Sequence, residues 1–403
     1  MQISKMENIM KTIQICCIGE RKPKYSFIEQ INGNLIGFSI NAAAKAENIR
    51  VARKAFYTDY DGDFFFSCLD SISNVFLNTW LMKTKKTHSE ISNCLIFLNK
   101  DGQARVFINF PVRLQILLKE EYNPLEKIYK KDIADIKTVD LPGVHFFEKC
   151  AIIFIFSNGW RRGVYFNFFP LDENYESDNE NLNELFAKFF GYLQFPEIFR
   201  QTPEIKQKLY ERGWFPFIRL LGFNYSTIFN SINNELPLDE TEIQVVNSYD
   251  NLIENIVASW MKNPSFKERE LFIKRGIERY LKGDYISSIS NLYLQIEGLI
   301  RGLPLERKDE KRDSMGQILT NKLTEITNIN NPDSTLFISD QFKDYLINSY
   351  FSKFDLEKGP AELSRHSFAH GMAINENDYN KITAFQTILI LDQISFYIMN
   401  TSK

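Results

Sequence analysis

The chain holds four histidines, His88, His145, His366 and His370. Two of them fall in one short segment, Leu363-Ser364-Arg365-His366-Ser367-Phe368-Ala369-His370-Gly371, with an arginine directly before the first. Cleaving an RNA phosphodiester without a metal needs one group to take the 2′-hydroxyl proton. A second must hold the charge that builds on the phosphorus oxygens, and a third must protonate the leaving 5′-oxygen. Histidine titrates near neutral pH and serves as base or acid. Arginine carries a permanent forked charge that matches phosphate geometry. Arg365 and His370 supply those two functions. Five residues apart, they stand about 140° apart on an ideal helix. They act together if the helix starts or breaks between them, if the long arginine side chain closes the gap, or if a second copy completes the site. Gly371 fits a helix stop directly after His370.

Other chemistries fit less well. His366 and His370 share a helix face at i, i+4, as in HxxxH zinc sites. Ser367, however, stands where a metalloprotease carries its glutamate, and no further histidine follows. The five cysteines contain no CxxC pair and all lie at or before Cys150, so neither a zinc finger nor a disulfide framework is expected. Asp59-Tyr60-Asp61-Gly62-Asp63 has its glycine at the wrong position for a calcium loop. No phosphate-binding GxxxxGK[ST], no GxGxxG and no GxSxG occurs. No metal and no cofactor is expected. Glu297 and Arg301 stand at i, i+4, which predicts an ion pair. Glu297 is also a candidate for orienting Arg365 or His370, and His366 for assisting substrate contact.

The elements that must position these residues change along the chain. Ile13–Ile18 and Leu35–Ile40 are short apolar segments. Cys94–Leu98 and Ala104–Phe110 flank an Asp-Gly step, and Ala151–Phe156 and Trp160–Phe169 flank an Asn-Gly step. Both patterns read as hairpins. Asp63–Leu81 carries apolar residues near helical spacing, with Asp63 as a cap. Trp160-Arg161-Arg162 at a turn allows stacking and charge contact with nucleic acid, although an exposed turn accounts for it as well. After the acidic stretch 172–183 almost everything reads as helix. Helices are predicted over 182–193, 205–210, 240–261, 266–281, 285–303, 314–326, 339–354, 361–370 and 378–399. The 285–303 helix has a clean 3.6-residue stripe.

Arg365-His366-Ser367-Phe368-Ala369-His370 resembles the R-[Asn/Asp/His]-x3-His signature of HEPN domains (higher eukaryotes and prokaryotes nucleotide-binding). With Gly371 it is similar to the version found in bacterial anti-phage and abortive-infection proteins. Tyr280–Tyr285 followed by Ser288–Arg301 resembles the early helix pair of such domains. The resemblance covers roughly residues 240–400. It implies an antiparallel helical bundle that works as a dimer and cleaves RNA without metal. Arg365 and His370 then form the catalytic pair, and His366 takes the variable polar position.

Length and composition bound the rest. At 403 residues two domains are expected. The net charge of −3 excludes a strongly basic nucleic-acid wrapper, and 44% hydrophobic residues with 35 Phe exclude a disordered chain. The expected architecture is an α+β region over 1–180, a helical connector over 181–237 and an all-α HEPN-like bundle over 238–403. The expected function is a metal-independent endoribonuclease of a bacterial defence or toxin-like system, cytoplasmic, free of membrane, and at least a homodimer. Residues 1–180 would act as sensor or regulator, with room for a regulatory partner protein. The competing expectation is a non-catalytic interaction protein whose bundle binds a partner protein or nucleic acid.

Overall fold

The computed structural model describes residues 10–15, 27–32, 54–58, 77–85, 87, 90–98, 103–120, 127–145, 150–158, 161–167, 181–303, 315–330, 339–352, 364, 367–368 and 375–399. His88, Arg365, His366 and His370 lie outside them, as do the segments 35–40 and 59–63. The chain folds into two compact units. Met1–Leu117 with Ile136–Gln194 forms the first, and Leu118–Asp135 with Phe195–Lys403 forms the second.

The first unit contains the sheets, apart from their residues Leu118 and Ile133–Asp135, which fall in the second. Its elements are β1 (Met10–Ile15), β2 (Phe27–Asn32), β3 (Lys54–Thr58), α1 (Asn78–Thr84), β4 (Cys94–Leu98), β5 (Gln103–Ile108), β6 (Val112–Leu118), β7 (Ile133–Asp140), β8 (Ala151–Asn158), β9 (Arg161–Asn167) and α2 (Leu182–Gln194). The strands form a three-stranded sheet in the order β1-β6-β7 and a six-stranded sheet in the order β2-β5-β4-β8-β9-β3. Both predicted hairpins are present. β4 and β5 pair antiparallel from Leu98 opposite Ala104. β8 and β9 pair up to Asn158 opposite Arg161.

Strand period explains why β8 is apolar without alternation. Successive side chains point to opposite faces, so a strand covered on both faces needs apolar residues throughout. Ile153 and Ile155 join Leu77, Leu81, Ile96, Val106 and Val164 in one cluster. Phe154 and Phe156 lie at the intervening positions and meet α2, with ring centroids 4.4 Å from Phe186 and 4.8 Å from Phe190. Gly163 of β9 leaves room for this layer, since a Cβ there would lie 2.8 Å from the Phe156 ring. Arg161 donates to the Leu193 carbonyl at 2.7 Å, satisfying an end carbonyl of α2. That ties it to the scaffold.

The second unit is helical. Its helices are α3 (Pro196–Phe199), α4 (Pro203–Glu211), α5 (Phe223–Asn233), α6 (Asp239–Asn247), α7 (Ile253–Trp260), α8 (Pro264–Lys267), α9 (Glu270–Leu281), α10 (Tyr285–Arg301), α11 (Met315–Asn330), α12 (Ser339–Asn348) and α13 (Lys381–Met399). Asp284 caps α10 by accepting from the Ser287 N–H at 3.1 Å. Gly283 before it takes φ +76°, a left-handed turn that suits glycine. α9 and α10 pack so closely that a Cβ on Gly276 would lie 2.5 Å from Leu292. α13 is buried almost all round, from Ala384 and Phe385 to Tyr397 and Ile398, as expected for a central helix.

Three predicted helices are shorter or broken. The 240–261 helix is interrupted by a 3-10 turn at Asp250–Leu252. Ser248 Oγ turns back on the Val245 carbonyl at 2.6 Å. Tyr249 rotates into the core, donating to the Arg219 carbonyl at 3.0 Å. Local side-chain bonds and a buried aromatic outweigh helix propensity there. The 266–281 helix breaks before Glu270, where Arg269 reaches the Gly298 carbonyl on α10 at 2.9 Å. The 339–354 helix ends at Asn348, where Ser349 Oγ bonds back to the Tyr345 carbonyl at 2.6 Å.

Candidate functional site

The residues flanking the Arg-His segment are described even though Arg365, His366 and His370 are not. Ser364 and Ser367 are buried, at 1% and 0% exposure. The Ser367 N–H donates to Ser364 Oγ at 3.2 Å, and the Ser364 N–H donates to Ser367 Oγ at 2.8 Å. The exchange is a reciprocal helix start with serine in place of the usual Glu or Gln. The Phe368 N–H then donates to the Ser364 carbonyl at 2.9 Å, closing a helical turn. The Phe368 ring lies 5.9 Å from that of Tyr293 on α10. Tyr293 is itself 4.6 Å from Tyr350, whose hydroxyl donates to the Tyr293 carbonyl at 2.8 Å. The two serines start a helical turn, and Phe368 on that turn packs against α10. The sequence signal for this, Ser-x-x-Ser ahead of an aromatic, went unread.

Glu297 stands one helical turn after Tyr293 on α10. Its Oε1 accepts from Arg301 Nε at 2.7 Å and lies 2.6 Å from Nη2. The predicted ion pair is present, with the Glu297 side chain 12% exposed and that of Arg301 49%. His145 is exposed in the first unit. Among the described residues no group of three or more His, Cys, Asp or Glu side chains gathers as a metal site would.

The second unit also contains a cleft of about 460 Å³. Tyr293 and Tyr350 line it, together with Arg212, Gly213 and Tyr345, the polar segment from Asn375 to Asn380, and Gln386 of α13. Its floor is rigid. The Tyr345 hydroxyl donates to the Gly213 carbonyl at 2.9 Å, and Gln386 Nε2 donates to the Arg212 carbonyl at 2.8 Å. Gly213 has φ +73°, and a Cβ there would lie 2.5 Å from Gln386 Oε1. Glu242 takes Trp214 Nε1 at 2.6 Å and Arg212 Nη2 at 3.0 Å, and Arg212 Nη2 also reaches Asp239 at 2.7 Å. Burial raises the Glu242 carboxyl above its ordinary range despite those donors. Burial also pushes the Tyr293 and Tyr345 phenols up, so they stay protonated donors at neutral pH.

A buried charge cluster stands elsewhere in the same unit. Arg219 grips Asp392 through Nε to Oδ2 at 2.9 Å and Nη2 to Oδ1 at 3.0 Å, and it also pairs with Glu120. Trp260 Nε1 donates to Asp392 Oδ1 at 2.8 Å. Lys119 Nζ donates to the Leu221 carbonyl at 2.6 Å. Burial and then repulsion from Arg219 lower the Lys119 ammonium to about 7, opposed by Asp132, Asp392 and Glu120. Sequence reading missed this cluster because its members are scattered. Asp392, the one acidic residue of α13, was the visible signal.

Compared with protein-family models, with curated proteins and with solved structures, the chain gives no match.

Proposed function

We propose that the chain is a metal-independent endoribonuclease of the HEPN type, belonging to a bacterial defence or toxin-like system in the cytoplasm. The observation that carries the reading is Arg365-x4-His370, with His366 between them, in a chain of only four histidines. The segment belongs to a helical region, which suits the bundle that the resemblance implies. Arg365 would hold the scissile phosphate and neutralise its developing charge. His370 would act as general base or acid, and His366 would assist substrate contact. Glu297 would orient the pair. Two protomers would complete one site. Among the described residues, Leu271, Phe272, Leu281, Ile286 and Leu294 are large apolar side chains exposed on α9 and α10, which supports self-association through that hairpin. The first unit would regulate the second, alone or with a partner protein.

The same exposed hairpin favours a second reading, a non-catalytic protein that binds a partner through α9 and α10. RNA cleavage in EDTA separates the two. Wild-type cleavage leaving 2′,3′-cyclic phosphate ends is expected. Arg365→Ala and His370→Ala are each expected to lower it by about a hundredfold or more. Cleavage unchanged in both variants overturns the assignment.

A further inference from the structure

We propose that α9 (Glu270–Leu281) is an interface between two copies of this chain, paired antiparallel about a two-fold axis at the level of Gly276. The inference rests on the proposed function for its purpose, because the composite site needs two protomers, and it deepens that reading by naming the face they share. Its geometry stands on α9 alone.

α9 already has an inward face, on which Ile273, Gly276, Ile277 and Tyr280 are buried. A helix with one side in a core normally carries polar residues on the other. α9 departs from that pattern, with Leu271 70% exposed and Leu281 45%. Between them stand Lys274 and Glu278, whose side chains are 62% and 53% exposed. The four fall at i, i+3, i+7 and i+10, the a and d spacing of a helix that packs along another helix. Leucine closes the stripe at each end, and opposite charges fill its middle.

The stripe is its own complement. Leu271 and Leu281 each lie five residues from Gly276, and Lys274 and Glu278 each lie two. An antiparallel copy centred there sets Leu271 opposite Leu281 of the second copy, and Lys274 opposite Glu278 of the second copy. The two-fold axis makes each contact twice, as an isologous interface does. A parallel copy would set Lys274 against Lys274 and Glu278 against Glu278, which like-charge repulsion opposes. Lys274 and Glu278 also leave the stripe without net charge. That suits a copy of itself better than RNA or an anionic lipid surface, both of which call for a basic face. Arg275, exposed beside the stripe, is long enough to keep its charge in water at the edge of the pair.

The test is sedimentation of the full chain from about 1 to about 100 µM, a span that captures modest affinities. A dimer is expected. Leu281→Asp sets a carboxylate opposite Leu271 at both contacts and is expected to weaken the dimer at least about tenfold. Lys274→Glu and Glu278→Lys each turn both charge pairs into like pairs, and each is expected to weaken it about tenfold. Mixed in equal amounts, these two variants meet with opposite charges at both pairs. The mixture is expected to dimerise within about threefold of the wild type. All three positions are exposed, so the substitutions leave the fold intact, and circular dichroism checks that. Three outcomes overturn the proposal. One is a monomer at every concentration, which leaves α9 to a different protein. Another is a dimer indifferent to all three substitutions. The third is a mixture that stays as weak as its components. Cleavage of RNA by a strictly monomeric chain also overturns it and leaves the nuclease standing. Recovery in the mixture, in a chain that never cleaves RNA, supports the interface while the nuclease reading fails.

Discussion

Phe154 in the sheet unit and Asp392 in the helical unit are both nearly sealed from water, at 0% and 7% exposure. Phe154 is held by ring contacts to Phe156, Phe186 and Phe190. Such contacts are non-directional, and their strength follows the apolar area removed from water. Asp392 is held by three donors from Arg219 and Trp260. Those contacts are directional, and each partner is costly to bury alone. Apolar contacts of the first kind accept other well-fitting apolar side chains, whereas in the second removing one charge strands the other in the interior.

Removing each anchor breaks the contrast most directly. Phe154→Ala is expected to destabilise the first unit by about 3–5 kcal/mol through lost transfer energy and the cavity left behind. Asp392→Ala is expected to cost the second unit a similar 3–5 kcal/mol, because it strands Arg219. Compensation tells them apart. Arg219→Met combined with Asp392→Leu should recover most of the loss. No polar partner exchange rescues Phe154→Ala. Urea unfolding of the three variants measures both effects, and a double variant as unstable as Asp392→Ala would break the distinction.

A pH series sharpens it. Lys119 in the folded chain is lowered to about 7, against 10.5 for the ordinary group. Between those values the unfolded chain carries a proton that the folded chain lacks. Unfolding therefore takes up a proton, and stability rises with pH through this window. Below pH 7 both states are protonated and the burial penalty applies in full. The ceiling is about 1.4 kcal/mol per pH unit. Lys119 keeps part of its surface in water, so about half of that is expected. Urea midpoints at pH 7, 8 and 9 should climb in the wild type and stay level in Lys119→Met. A falling midpoint in the wild type would remove Lys119 from the account.

The smallest effect belongs to Glu297. Its pair with Arg301 has one partner 49% exposed, so Glu297→Gln is expected to cost about 0.3–0.5 kcal/mol. A double-mutant cycle with Arg301→Ala measures that coupling. A tenfold loss of RNA cleavage by Glu297→Gln, at that small stability cost, would mark it as a positioning residue. Unchanged cleavage would leave it an ordinary ion pair within one helix.

Much of the fold was legible where the pattern is local. Asp-Gly and Asn-Gly turns mark the β4–β5 and β8–β9 hairpins, and the 3.6-residue stripe marks α10 almost to its ends. Glu297–Arg301 was legible for the same reason, since helix geometry alone brings i and i+4 together. The break at Asp250–Leu252 was not legible. It depends on Tyr249 finding Phe385, at 5.2 Å, and the Arg219 carbonyl. Nor was the contact of Phe368 with Tyr293 on α10.

By itself the amino-acid sequence indicated most element types and the division into sheet-bearing and helical regions, and it supplied the Arg365–His370 segment on which the proposed activity rests. Those follow from neighbours in the chain and from residue type. The tertiary structure decided which side chains share a site: Arg219 with Asp392 across 173 residues, Tyr345 with Gly213 across 132, and the polar cleft beside Tyr293. Such pairs carry no periodic signal. A buried hydrogen bond is chosen by the burial that makes its absence costly, and burial exists only once the helices have packed.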